Sequence, residues 1–163
     1  MADDQASADL TVRRYRAADH DAVWAVHNLA LHQVGAHVGN GPWDDDLHHI
    51  EEVYFANGGE FLVGECDGRV VAMGALRRVS DAVAKVTRMR VHPAWQRRGF
   101  GAAILRRLER RGAELGYRKL VLETTVGQTA AQALYRNRGF VEVGHTRLHG
   151  FDVILFEKTL PIA

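Results

Sequence analysis

The chain has 163 residues, 47% apolar and 25% charged, which suits one globular domain with a sizeable core. Lys and Arg total 21 against 20 Asp and Glu, and a formal net charge of +1 excludes a strongly basic nucleic-acid-binding domain. The single cysteine, Cys66, excludes an intrachain disulfide and is compatible with a reducing compartment.

Residues 1–9 are acidic and rich in small side chains, which predicts a frayed tail ahead of one domain over 10–163. They lack the basic start and apolar run of a signal peptide, and no segment reaches membrane-spanning length, so the chain reads as cytoplasmic. Leu10 to Tyr15 alternates apolar and polar residues, the pattern of a strand. Asp19 is placed to cap a helix through Val23, Val26, Leu29 and Ala30. Gly35 to Asp46 reads as a loop, with Asp45 or Asp46 capping a second helix through Ile50, Val53 and Tyr54.

Glu60 to Cys66 and Arg69 to Leu76 read as strands joined by Asp67-Gly68, a strong hairpin signal. Lys85 to Val91 is a further strand, closed by His92-Pro93. Gly101 to Gly112 has the apolar spacing of an amphipathic helix, Leu120 to Thr125 is strand-like, and Thr129 to Arg136 is a short helix stopped by Gly139. Phe140 to Gly144 and Asp152 to Lys158 complete the strands. The order β-α-α-β-β-β-α-β-α-β-β predicts an α/β sandwich with helices on both faces of a mixed, mostly antiparallel sheet. The strand-helix-strand segment from Lys85 to Thr125 is long enough for a right-handed crossover, which makes its two strands parallel neighbours.

Gln96-Arg97-Arg98-Gly99-Phe100-Gly101-Ala102 lies between a strand and an amphipathic helix. Glycines let backbone approach a ligand, and the first helical turn points unpaired N–H groups and a positive dipole end outward. Arg97 and Arg98 add cationic donors, within a cluster completed by Arg106, Arg107, Arg110 and Arg111. That chemistry suits a pyrophosphate.

This segment resembles the acetyl-CoA pyrophosphate loop of the GNAT superfamily of N-acetyltransferases, Q/R-x-x-G-x-G/A. Ala131-Gln132-Ala133-Leu134-Tyr135-Arg136-Asn137-Arg138-Gly139-Phe140 resembles a second signature of the same superfamily. The resemblance implies acetyl transfer from acetyl-CoA, as cosubstrate, to a primary amine by direct attack in a ternary complex. Backbone groups of Met89, Arg90 and Val91 would pair with the pantetheine arm, and the amides from Arg97 to Ala102, following Gln96, would hold the pyrophosphate. The parallel strands would splay so that a backbone amide polarises the thioester carbonyl. Tyr135 would protonate the departing thiolate.

Two positions depart from the superfamily pattern. Gln128 stands where many members carry Asn, keeping an amide for a cofactor contact. Lys85 stands where several members place a glutamate base, so Glu123, at the expected splay, is the substitute candidate. The Lys85 departure also supports an alternative, a non-catalytic acyl-CoA-binding regulatory module. Asp44-Asp45-Asp46 reads as helix capping rather than capture of a cationic amine, and Trp24, Trp43 and Trp95 as packing residues. His27, His32 and His37 are spaced by five and do not share a helix face, and no HExxH or Cys/His cluster implies a metal. His32 and His149 are secondary candidates for the base. The acceptor is open between a small-molecule amine and a peptide amine, with no nucleic-acid or membrane partner. By analogy with small members of the superfamily, a homodimer through the last strand is also open.

Overall fold

The computed structural model describes residues 10–33, 35 and 39–162; the N-terminal segment 1–9 and His37 lie outside them. In chain order the regular elements are β1 (Thr11–Arg14), α1 (His20–Gln33), α2 (Ile50–Val53), β2 (Glu60–Cys66), β3 (Arg69–Arg78), β4 (Val83–Val91), α3 (Phe100–Glu114), β5 (Lys119–Thr125), α4 (Thr129–Asn137), β6 (Val141–Leu148) and β7 (Phe151–Thr159). The strands form one sheet in the order β1-β2-β3-β4-β5-β7-β6. Every adjacent pair is antiparallel except β4 and β5, which are parallel. The architecture is therefore the mixed sandwich that the element order predicts.

Period-2 alternation divides the sheet between two cores. Phe61, Val63, Met73 and Ala75 face α1 and α2, where they meet Val23, Val26, Leu47, Ile50 and Tyr54. Leu62, Ala72, Leu76, Ala84 and Val86 face α3, where they meet Ile104, Leu105 and Leu108. Tyr135, Phe140 and Phe156 extend this second core beneath α4. Gly74 lets α3 approach β3: a Cβ there would stand 2.5 Å from Met89 Sδ and 2.6 Å from Ile104 Cγ2.

The Asp67-Gly68 hairpin forms as expected, with both residues at positive φ. The helix starts differ from expectation. Asp19 ends a short 3-10 turn, Ala17–Asp19, and does not cap α1. Its carboxylate accepts from both terminal nitrogens of Arg13, at 2.8 and 2.9 Å, and from the Arg16 amide at 2.8 Å. The aspartate-rich segment forms a 3-10 turn, Pro42–His48, leaving α2 only four residues long. The last hairpin is longer than its pattern suggests. His145 sits inside β6, and the turn falls at His149-Gly150, both at positive φ.

Candidate active site

The parallel pairing of β4 with β5 stops early. Val83, Ala84 and Lys85 pair with Lys119, Leu120 and Val121, and then the strands part. Each keeps its other neighbour, β3 for β4 and β7 for β5. A wedge thus opens between two strands that stay anchored. β4 also carries a bulge opposite Gly74, where its register with β3 shifts and Arg88 adopts φ 57°. The bulge puts both Arg88 and Arg90 on the α1 side while Met89 and Val91 pack against the α3 core.

The wedge widens into a cleft of about 560 Å³. Its walls come from Lys85 to Arg90 of β4, Glu123 to Thr125 of β5, Gln128, Tyr135, Leu31, Trp43 and the β6–β7 turn. At its foot, Lys85 Nζ lies 2.8 Å from Glu123 Oε1. Tyr135 is 6% exposed, its ring packed edge-on to Phe140 at 5.8 Å between centroids. Burial pushes its phenol up to about 12, opposed by the charge of Arg90. Arg90 donates from Nη1 to Met89 O at 2.8 Å, and its Nε is sealed from solvent with no acceptor among the described residues. Burial, followed by the cation of Arg88, pulls the Arg90 guanidinium down to about 10, so it is charged at neutral pH.

Beyond β4, the chain enters α3 through a loop of the kind that holds phosphate. Arg97 and Gly99 are both left-handed, with φ 62° and 79°. Gly99 is the N-cap of α3, a backbone conformation that favours glycine there. The first intrahelical acceptor is Gly99 O, bonded by Ala103 N, so the amides of Phe100, Gly101 and Ala102 precede the helical ladder. Phe100 itself is 2% exposed and anchors the loop in the core, beside Trp95. Arg97 and Arg98 are exposed, and Arg98 rests on the Trp95 ring.

The family model for the acetyltransferase (GNAT) family matches residues 19–140. The chain belongs to that family. Among curated relatives it is 36% identical over 103 residues to an IAA acetyltransferase from Azospirillum brasilense, a match covering 63% of this chain and 67% of that protein. It is 32% identical over 106 residues to an N-acetylaspartate synthetase from Xenopus tropicalis, where the match covers 64% of this chain but only 39% of the longer relative. Among solved structures it superposes on a GNAT phosphinothricin acetyltransferase from Sinorhizobium meliloti in complex with acetyl-CoA, with TM-score 0.77 and 19% identity, covering 93% of this chain and 89% of that one.

This GNAT domain brings five of the thirteen expected residues to one cleft, while Val91 and the loop from Gln96 to Ala102 lie outside its lining. Met89, Arg90, Glu123, Gln128 and Tyr135 all line it. Two side chains are used differently from expectation. Gln96 donates to Val91 O at 3.0 Å and Gln33 Oε1 at 2.6 Å, bracing the loop against β4 and α1. Gln128 turns its Oε1 back onto the Thr125 amide and hydroxyl, at 3.1 and 3.0 Å, closing the end of β5. Of the two candidate histidines, His149 lines the cleft, whereas His32 is exposed on α1 and does not. Trp43, expected to pack, is 57% exposed on the cleft wall.

The aspartates expected to cap α2 form a buried network instead. Arg88 reaches Asp46 with Nε at 3.0 Å and Nη2 at 2.5 Å, Asp44 with Nη1 at 3.2 Å, and Trp43 O with Nη2 at 2.8 Å. Tyr54 donates to Asp46 at 2.5 Å, and His27 Nε2 meets Asp44 at 3.1 Å. Burial pushes the Asp46 carboxyl up, but Arg88 and Tyr54 outweigh it and hold it below the usual range. No local sequence pattern marks this network, because Arg88 is more than forty residues from its partners. Among the described residues no cluster of three or more metal-ligating side chains occurs, and no helix is long and apolar enough to cross a membrane.

His27 gives the network a pH dependence. It is 1% exposed; burial, then the cations Arg90 and Arg88, pull its imidazole down to about 4 against the opposing pull of Asp44. A neutral ring donates from Nε2 to Asp44, leaving Nδ1 buried with no partner among the described residues. An unfolded histidine titrates near 6.5. As pH falls below that value the unfolded chain takes the proton first, so stability is lost between about pH 6.5 and 4. This group alone should cost about 2 kcal/mol on going from pH 7 to pH 5. Urea unfolding at both pH values should show a loss that is smaller by that amount in His27→Gln; equal losses would exclude His27 as the source.

Proposed function

We propose that the domain transfers the acetyl group of acetyl-CoA to a primary amine by direct attack in a ternary complex. The observation that carries this reading is the β4–β5 wedge, with a phosphate-type loop at one end and a buried tyrosine on its wall. The amides from Arg97 to Ala102 hold the pyrophosphate, with Arg97 and Arg98 adding charge at the surface. The pantetheine arm runs along the open edge of β4, bonding the backbone of Met89, Arg90 and Val91 as an added strand would. The thioester then enters the wedge, where a β4 amide near the bulge stabilises the oxyanion. Gln128 contributes its amide nitrogen, since its oxygen already serves β5.

The amine nitrogen attacks the thioester carbon to give a tetrahedral intermediate. The C–S bond then breaks, the amide forms, the amine gives up a proton and the thiolate gains one. Tyr135 supplies the proton to sulfur. Glu123 receives the amine proton, directly or through water. Lys85 Nζ lies 2.8 Å from its Oε1 and orients it, and the ammonium formed on attack is acidic enough for a weak base. This use of Lys85 explains why a lysine can stand beside the reaction: it serves the base and does not replace it.

Calorimetric titration with acetyl-CoA tests the cofactor site. Wild type should bind, whereas Gly99→Glu, Gly101→Glu should not, because two carboxylates would occupy the phosphate position. Arg97→Glu, Arg98→Glu leaves the glycines intact and should weaken binding at least tenfold, more so at low salt. Circular dichroism melts confirm folding of each variant. Failure of the folded wild type to bind would refute the reading.

A further inference from the structure

The charged side chains lining the cleft are Lys85, Arg88, Arg90 and Glu123. Lys85 and Glu123 neutralise one another. Arg88 is held by Asp44 and Asp46, whose oxygens are also taken by His27, Asn40 and Tyr54. Arg90 is left. Among the described residues no carboxylate lies within ion-pairing distance of it, and its Nε has no acceptor. A charged guanidinium in a half-buried position with no carboxylate and an unpaired Nε is costly. The phenol of Tyr135 feels its charge, and the same cleft is lined by the apolar side chains of Leu31, Trp43, Leu148 and Phe151.

We infer that the acceptor is an amine carrying a carboxylate close to its nitrogen and an apolar side chain, in effect a hydrophobic amino acid, with Arg90 as the residue that binds the carboxylate. The inference rests on the acetyltransferase reading above. A guanidinium fork matches a carboxylate in a two-bond arrangement. Nη1 stays on Met89 O, and a small rotation toward the cleft presents Nε and Nη2 together. Because Arg90 couples electrostatically to Tyr135 in the same cleft, a carboxylate held there would leave an α-amine, two bonds from the carboxylate carbon, on the Tyr135 side. The side chain then lies against Trp43 and Phe151, which are 57% and 36% exposed. A peptide N-terminus has no carboxylate at that position, so this arrangement selects the small-molecule acceptor over the peptide.

The test measures kcat/KM by thiol release from acetyl-CoA with phenylalanine, phenylalaninamide, phenethylamine and glycine, alongside acetyl-CoA titration of the same samples. Phenylalanine should exceed its amide and phenethylamine at least tenfold, chiefly through KM, and should exceed glycine. Arg90→Gln should erase the preference for the acid, and Arg90→Lys should retain part of it. Equal rates for acid and amide in wild type would overturn the inference. So would an Arg90→Gln variant that slows all amines alike, because Arg90 would then act only on Tyr135. Binding of acetyl-CoA without acetylation of any of these acids would also reject the acceptor class while sparing the cofactor site. No binding of acetyl-CoA would remove the reading beneath it.

Discussion

Arg88→Met should destabilise the domain by about 3–5 kcal/mol, the range for removing one partner of a buried ion pair. Among the described residues Arg88 is the only cation whose hydrogen bonds reach both Asp44 and Asp46, and the paired side chains are at most 14% exposed. Methionine fills similar volume, so the loss would report uncompensated charge more than a cavity. Asp46 would keep the Tyr54 hydroxyl, and Asp44 would keep His27 and Asn40, yet neither would face a cation within hydrogen-bonding distance. The melting temperature should fall by on the order of 10 °C. Adding Asp44→Asn and Asp46→Asn to Arg88→Met removes the stranded charges and should recover part of the loss, a coupling that a mutant cycle measures. A loss below about 1 kcal/mol, or no recovery in the combined variant, would mean that the network contributes little.

The same network shows where sequence reading stops. The sheet was legible because each strand carries its own alternation and the Asp67-Gly68 turn forces its neighbours into a hairpin. The parallel pairing was legible too, because two strands joined through a helix had to be parallel, whereas the splay was implied only by the resemblance to the superfamily; the pairing runs for three residue pairs before the strands part. Asp44 and Asp46 were not legible. A run of aspartates before a helix reads as capping, because capping is a local rule, whereas their actual partner lies on β4. The bulge at Arg88 left no signal either, since positive φ at arginine has no sequence signature and depends on Gly74 across the ladder. Lys85 and Glu123 appeared as two separate anomalies, a lost base and a substitute. In the fold they are one ion pair.

Trp43 and Arg90 make a related point about the cleft. Both were assigned by type or by motif, Trp43 to packing and Arg90 to backbone pairing with the cofactor. Whether a side chain faces a core or a cavity depends on the neighbouring element that covers it, and that is set by tertiary placement. The motif marked the proposed cofactor end from contiguous residues. The proposed acceptor end is assembled from α1, the 3-10 turn, β4 and the β6–β7 turn, so no contiguous stretch of sequence describes it.

Tyr135→Phe should reduce kcat by about 10², with acetyl-CoA affinity unchanged. The ring is what packs against Phe140 and Phe156, so the variant should keep its stability to within about 1 kcal/mol. The size of the effect follows from the mismatch in acidity. A phenol pushed up to about 12 is a weaker acid than an ordinary thiol near 8.5, so complete proton transfer to the thiolate runs uphill. In the proposed mechanism Tyr135 therefore hydrogen-bonds the developing charge on sulfur before passing its proton late, and Arg90 nearby lowers the mismatch. That places the effect toward the lower end of the range for acid catalysis. The raised value also fixes the alkaline limb. The donor stays protonated up to about pH 12, so its loss of a proton should not slow turnover anywhere below about pH 11. Turnover of the Tyr135→Phe variant within threefold of wild type would exclude Tyr135 as the proton donor, whereas an alkaline fall near pH 9 present in wild type and absent from the variant would show a phenol far more acidic than its burial implies.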